Sequence, residues 1–269
     1  MQWLGVAKEN QDIPTEESYG AHYILPSARY VYDNTQFGFL APYRGMRAFV
    51  DMHLSPVTRK FVTFTTDVRQ YVPIYRQIYG FMARFSGGAS LGADPRNFFM
   101  GGVDNWINRG AIAYTSTTDP QLFQNPEDFA FMNLPMPVRG FEISQSIGSK
   151  YFLTNLEFRF PLFQALVAGP LPIMLDGVMG SFFLDLGTSW SSSDLGVIGF
   201  RSPQYITLVD NVGNTSQRRR YTEGTILMST GIGMRTVFLG YPVRVDVAWR
   251  KDGDTWSEPN WLFSLGLDL

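Results

Sequence analysis

Tyr151-Phe152-Leu153-Thr154-Asn155-Leu156-Glu157-Phe158-Arg159-Phe160-Pro161-Leu162 places Phe152, Leu156, Phe158, Phe160 and Leu162 on one face of an extended chain. Asn155, Glu157 and Arg159 fall on the other, because successive side chains of a strand point to opposite sides. A soluble sandwich would also alternate, but its strands run about 5–6 residues. A tilted strand that crosses a bilayer needs about 9–11. This run is long enough to cross, and its oily face then meets lipid while its charged face lines a polar interior.

The pattern recurs along the chain. Val62, Phe64, Thr66, Val68 and Val72 oppose Thr63, Thr65, Asp67, Arg69 and Tyr71. Ile226, Met228, Ile232, Met234 and Phe238 oppose Ser229, Gly231, Gly233 and Arg235. Tyr241, Val243, Val245, Val247 and Trp249 oppose Arg244, Asp246 and Arg250, and the last segment sets Trp261, Phe263, Leu265, Leu267 and Leu269 against Ser264, Gly266 and Asp268. Nine strands are predicted, at 22–33, 42–55, 60–72, 76–89, 149–162, 176–189, 225–238, 240–251 and 260–269. Segments 34–41, 73–75, 163–175 and Leu239-Gly240 are expected as periplasmic turns, and 90–148, 190–224 and 252–259 as external loops. Tyr71, Tyr75, Tyr151, Trp190, Tyr241, Trp249 and Trp261 lie near run ends, where an interfacial aromatic girdle would need them.

Composition agrees with an all-β, antiparallel transmembrane barrel over residues 1–269. Charged residues are 17% and aromatics 15%, and no stretch approaches the roughly 20 apolar residues that a spanning helix requires. A net charge of −2 gives no reason to expect nucleic acid. Cysteine is absent, which removes disulfides, thiol nucleophiles and thiolate metal sites. His22 and His53 have no companions at metal-ligand spacing, so neither metal nor cofactor is expected. Gly87-Gly88-Ala89-Ser90-Leu91-Gly92 lacks the lysine of a phosphate loop and reads as strand end and turn. Arg218-Arg219-Arg220 is expected as a solvated patch in an external loop. A hydrolase would need a serine, a histidine and an orienting group; nothing in the sequence recommends His53 with nearby Ser55 as that set, a barrel enzyme stands as a third reading, and no enzyme is expected. Met1-Gln2-Trp3-Leu4 opens no secretory signal, so the exported chain is expected to begin inside a longer precursor.

The candidate site is the tetrapeptide Val138-Arg139-Gly140-Phe141 in the longest loop, with Glu157 and Asp185 on the strands that follow. A guanidinium drawn into a narrow lumen loses hydration and needs fixed acceptors, which two inward acids can supply bidentately. The expectation is that Arg139, Glu157 and Asp185 pin the loop inside the barrel, with Phe141 packed beside them. An open sheet of nine strands would leave two unpaired edges in lipid. The segment is therefore expected to be part of a larger barrel, or to close against another chain.

These residues carry a family resemblance. Tyr32-Asp33-Asn34-Thr35, Pro42-Tyr43-Arg44-Gly45, Phe98-Phe99-Met100-Gly101-Gly102 and Val138-Arg139-Gly140-Phe141, in that order, resemble the C-terminal part of BamA-type outer-membrane assembly and translocation barrels, also called the bacterial surface antigen family. The resemblance implies that the nine strands are the last of sixteen. It implies that Gly101 and Gly102 hinge the long sixth external loop, and that Glu157 and Asp185 hold Arg139. The 35 residues from Val103 to Pro137 are longer than the same step in the best-known assembly factors, and resemble a branch whose barrel follows a periplasmic propeller instead of POTRA modules. The chain ends at Leu269 and not at the terminal Phe or Trp typical of outer-membrane strands. The implied function is insertion or translocation of polypeptide, or of lipid, at the bacterial outer membrane. Outer-membrane lipid, client polypeptides, and a periplasmic module or further N-terminal strands are the implied partners. The alternative is a passive or structural barrel with a plugged lumen that supports subunits of a surface complex.

Overall fold

The computed structural model describes residues 24–38, 40–57, 60–75, 79–107, 133–142, 145–168, 173–191, 200, 202–209, 215–222, 226–238 and 240–266. Its strands, in chain order, are β1 (Ser27–Asp33), β2 (Gln36–Phe37), β3 (Pro42–Ser55), β4 (Phe61–Tyr75), β5 (Tyr79–Gly92), β6 (Phe98–Met100), β7 (Asn133–Met136) and β8 (Ser146–Gly148). They continue with β9 (Lys150–Ala168), β10 (Ile173–Trp190), β11 (Ser202–Val209), β12 (Thr215–Thr222), β13 (Ile226–Phe238), β14 (Tyr241–Asp252), β15 (Thr255–Trp256) and β16 (Asn260–Leu265). Nine long strands make one antiparallel sheet in the order β1-β3-β4-β5-β9-β10-β13-β14, with β16 on the far side of β14. Among the described residues the sheet stays open, with β1 at one end and β16 at the other. No helix of the described residues is long and apolar enough to cross a membrane.

Burial is inverted relative to a soluble sheet. On β10, Phe182 is 54% exposed while Asp185 on the opposite face is 0% exposed. On β9, Asn155, Glu157 and Arg159 are buried, and Phe152, Leu162 and Phe163 are exposed. Phe64 and Val72 of β4 face outward, whereas Thr63 and Asp67 are buried. A sheet whose polar face is covered and whose apolar face is bare fits a membrane barrel, in which lipid is the outer solvent.

Several boundaries depart from the sequence reading. The turn expected at 163–175 is mostly strand: β9 runs on to Ala168 and β10 starts at Ile173, with Leu166 opposite Leu175 and Val167 opposite Met174. Small and apolar residues there let the ladder continue, which satisfies backbone groups that a longer turn would leave open. The loop at 90–148 is not irregular throughout. It holds a three-stranded sheet in which β6 pairs β7 in parallel and β8 antiparallel. The loop at 190–224 contains the hairpin β11–β12, so Arg218, Arg219 and Arg220 lie on β12 and not in an open loop. In the 34–41 turn, β2 pairs with the start of β3, and β15 folds the 252–259 segment back onto β14. Positions 22–23 and 267–269, and with them His22, Leu267 and Leu269, lie outside the described residues.

Two aromatics assigned to the girdle point the other way. Tyr71 and Tyr151 are buried on the polar face, whereas Tyr75, Tyr241 and Trp261 are exposed. Tyr151 packs on Phe98 with ring centroids 4.6 Å apart, and its hydroxyl lies 2.9 Å from that of Ser86. Strand parity, and not nearness to a strand end, decides where each ring sits.

Candidate functional site

The loop reaches the sheet through Phe98-Phe99-Met100, all buried, and then turns at Gly101 and Gly102, whose φ angles of +120° and +82° favour glycine. A Cβ on Gly101 would lie 2.1 Å from the Glu142 carbonyl oxygen. Gly102 donates its N–H to the Phe141 carbonyl at 3.0 Å and bridges to Val138. The double glycine and the arginine tetrapeptide therefore form one clasp, although the segment between them, 108–132, lies outside the described residues.

Val138 and Phe141 join Phe98, Met100, Tyr151, Leu153 and Leu227 in a buried apolar cluster beneath the sheet. Gly187 makes room for it: a Cβ there would stand 2.4 Å from Met100 Sδ and 2.9 Å from Val138 Cγ2. Gly140 has φ +83°, and a Cβ would come within 3.1 Å of Ala248 Cβ, so the tip of the loop lies against β14. Asn260 donates from Nδ2 to the Gly140 carbonyl at 3.1 Å, which ties the tip to the last strand.

Between these apolar contacts Arg139 enters the charged layer, with its side chain 4% exposed. Its Nε and Nη2 donate to Asp185 Oδ2 and Oδ1, both at 2.6 Å, and its backbone N–H donates to Oδ2 at 3.1 Å. Nη1 donates to Glu157 Oε1 at 2.7 Å. The guanidinium carbon lies 3.5 Å from the centroid of the Phe183 ring, which adds a cation–π contact in a water-poor place. Burial alone would lower the pKa of Arg139, but Asp185 and then Glu157 hold it well above the usual arginine range. The cation is thus permanent, as a structural anchor requires.

The structure brings Val138, Arg139, Gly140, Phe141, Glu157 and Asp185 into one place, with Gly101 and Gly102 at its base. It also adds partners that the sequence reading placed on the polar face without assigning them. Asn155 stands opposite Asp185 in register and donates to its Oδ1 at 2.8 Å, and to the Pro137 carbonyl at 3.2 Å. Glu157 is shared among arginines. Arg159 donates to Oε2 from Nε and Nη2 at 3.1 and 3.0 Å, and Arg235 Nη2 lies 3.0 and 2.9 Å from the two oxygens. Arg244 stands 3.7 Å from Oε1 and 2.5 Å from Asp246. Arg159 also reaches the Pro42 carbonyl at 3.2 Å, carrying the network from β9 to the start of β3. The signal for all of these was parity: each is a charged or amide side chain on the inward face of a strand.

The arrangement offers no nucleophile–base pair and, among the described residues, no group of three or more metal-ligating side chains. His53 Nε2 lies 3.2 Å from Asp51 Oδ2, in a patch with Arg29 that is separate from the loop tip. What the site can do is hold: the loop is fixed to β9, β10 and β13 by buried ion pairs, a ring contact and a small apolar core, and its tip at Gly140 touches β14 and β16. Residues 22–269 match the family model described as the Omp85 superfamily domain. No curated protein matches the sequence.

Proposed function

Because the chain belongs to the Omp85 superfamily, we propose that it is a non-enzymatic barrel that mediates insertion or translocation of polypeptide, or of lipid, at the bacterial outer membrane. The family implies that location and work alongside outer-membrane lipid and client proteins. The single observation that carries the reading is the buried Arg139–Asp185–Glu157 set, which holds a long loop against the inner face of a sheet whose outer face is apolar. A passive pore would need an open lumen, and a hydrolase would need a reactive group near the loop. A loop held inside by a permanent cation instead keeps small solutes out while leaving the strands free to separate elsewhere.

Depletion of the protein tests this. Levels of other outer-membrane proteins, or of surface lipid, are expected to fall before growth slows. If both stay constant while one particular surface complex is lost, the chain is a structural barrel supporting that complex and the insertion reading is wrong.

A further inference from the structure

Arginines line up across the inner face of the sheet. Arg47 of β3 stands opposite Arg69 of β4, and Arg69 stands opposite Arg84 of β5. The same line of partners runs on from Arg84 to Asn155 of β9 and to Asp185 of β10, the carboxylate that holds Arg139. Parity puts the three arginines on the polar face, together with the buried Asp51, Asp67 and Ser86 of the same strands. Each of β3, β4 and β5 has a neighbour along both edges, so the line is fixed by this chain's own sheet.

Like charges directly opposite one another on a sheet are destabilising, so three in a row need opposing charge. Asp67 supplies part of it: Arg69 donates from Nε to Oδ1 at 2.9 Å, and Arg84 from Nε to Oδ2 at 2.6 Å. Asp33 is the register partner of Arg47, but its carboxylate stands 3.6 Å from Nε, which is too far for a hydrogen bond. Three guanidiniums against two carboxylates leave one positive charge in excess along the line. The arginine side chains are 37%, 18% and 14% exposed, against 4% for Arg139, so this line is open to the lumen where the loop lock is closed.

We propose that Arg47, Arg69 and Arg84 form a binding site for a phosphate group on the inner wall of β3, β4 and β5, the phosphate being that of a lipid headgroup or free in solution. Neighbouring strands lie about 4.8 Å apart, so the three guanidiniums occupy a strip about 10 Å long. A tetrahedral phosphate offers three acceptor oxygens and up to two negative charges to such a strip, and the planar fork of arginine matches it. By taking Nε of both Arg69 and Arg84, Asp67 holds the two side chains in place before a ligand arrives, and such preorganisation lowers the cost of binding. The site goes beyond the insertion reading and does not depend on it, because it concerns what binds the wall and not what is inserted.

The test is calorimetric titration of the full-length protein in phosphate-free nonionic detergent with three probes: short-chain phosphatidic acid, diacylglycerol of the same chains, and inorganic phosphate. Phosphatidic acid is expected to bind and the diacylglycerol is not. Binding of inorganic phosphate as well assigns the site to the anion itself, and binding of the lipid alone assigns it to the headgroup. Binding of neither phosphate probe, or equal binding of the diacylglycerol, overturns the proposal. Arg47→Gln removes the most exposed of the three cations and is expected to weaken the bound phosphate probe at least tenfold, whereas Lys251→Gln, which removes a charge outside the line, is expected to leave it unchanged. Should the loss of Arg47 disturb folding, Asp67→Asn gives a readout of opposite sign: it removes the opposing charge, keeps all three arginines, and is expected to tighten binding. Wild-type affinity in both variants, or equal weakening in Lys251→Gln, also overturns the site. These titrations report on binding and depletion reports on insertion, so either idea can fail without the other.

Discussion

Arg139 has every guanidinium nitrogen within hydrogen-bonding distance of a carboxylate. Removing one member of a buried charge set leaves the others unpaired and typically costs about 3–5 kcal/mol. Arg139→Ala is expected to lower the stability of the folded barrel by about that amount, read as the urea midpoint of the heat-modifiable band. Arg139→Lys is expected to recover only part of it, because an ammonium cannot span Asp185 and Glu157 as a fork does. A midpoint unchanged in the alanine variant would mean that the set contributes nothing net. Gly187→Leu probes the same place without touching a charge: its side chain would run into Met100 and Val138, and overpacking of this kind costs about 1–3 kcal/mol. Loop protease resistance should fall with it; full resistance would show that the loop packs elsewhere. At this scale Arg139, Glu157 and Asp185 could be found from face parity and family resemblance. Arg235 as a partner of Glu157 could not, because it sits two strands away across β10, and only the sheet register brings them together.

The strands show where parity suffices and where it does not. Every long strand could be recognised by its alternation, since lipid on one side and a polar lumen on the other impose period two. Alternation does not mark the ends of β9 and β10, because Ala165-Leu166-Val167-Ala168 and Ile173-Met174-Leu175 are apolar at every position. The hairpin β11–β12 is not announced by the sequence, where Arg218-Arg219-Arg220 puts the same residue type at successive positions of β12 and hides any period of two. Tyr71 and Tyr151 lie near strand ends, where a girdle ring would sit, but their parity puts both rings on the inner face. Outward positions have a sharp test. Phe182→Arg puts a cation on the lipid face of β10 and is expected to cost about 2–4 kcal/mol near the midplane. Its reading is the folded fraction after refolding into vesicles of stated lipid, and a fraction equal to wild type would place that face in water.

At the scale of the molecule, three attachments converge on one loop: the ion pairs of Arg139 with β9 and β10, the contact of Gly140 with β14, and the backbone bonds of Asn105–Ile107 with β16. The loop thus spans the sheet from the strands beside β5 to its last member. Deleting 103–137 leaves Arg139 in place, and deleting 103–148 removes it. The shorter deletion is expected to leave single-channel conductance low, and the longer one to raise it. Equal conductance in the two would mean that the arginine does not keep the lumen closed. Family and fold could be read from the ordered motifs, whereas the crossing to β16 could not, because nothing in Asp104-Asn105-Trp106-Ile107 announces a strand partner so far along the chain.

The most direct measurement is the labelling rate of Val138→Cys by a membrane-impermeant maleimide in intact cells, with Arg139 present and with Arg139→Ala. Val138 is 0% exposed beside Arg139. A thiol that stays protected while Arg139 is present, and reacts at least tenfold faster once it is gone, is the predicted result. Equal rates in the two backgrounds would contradict an arginine lock.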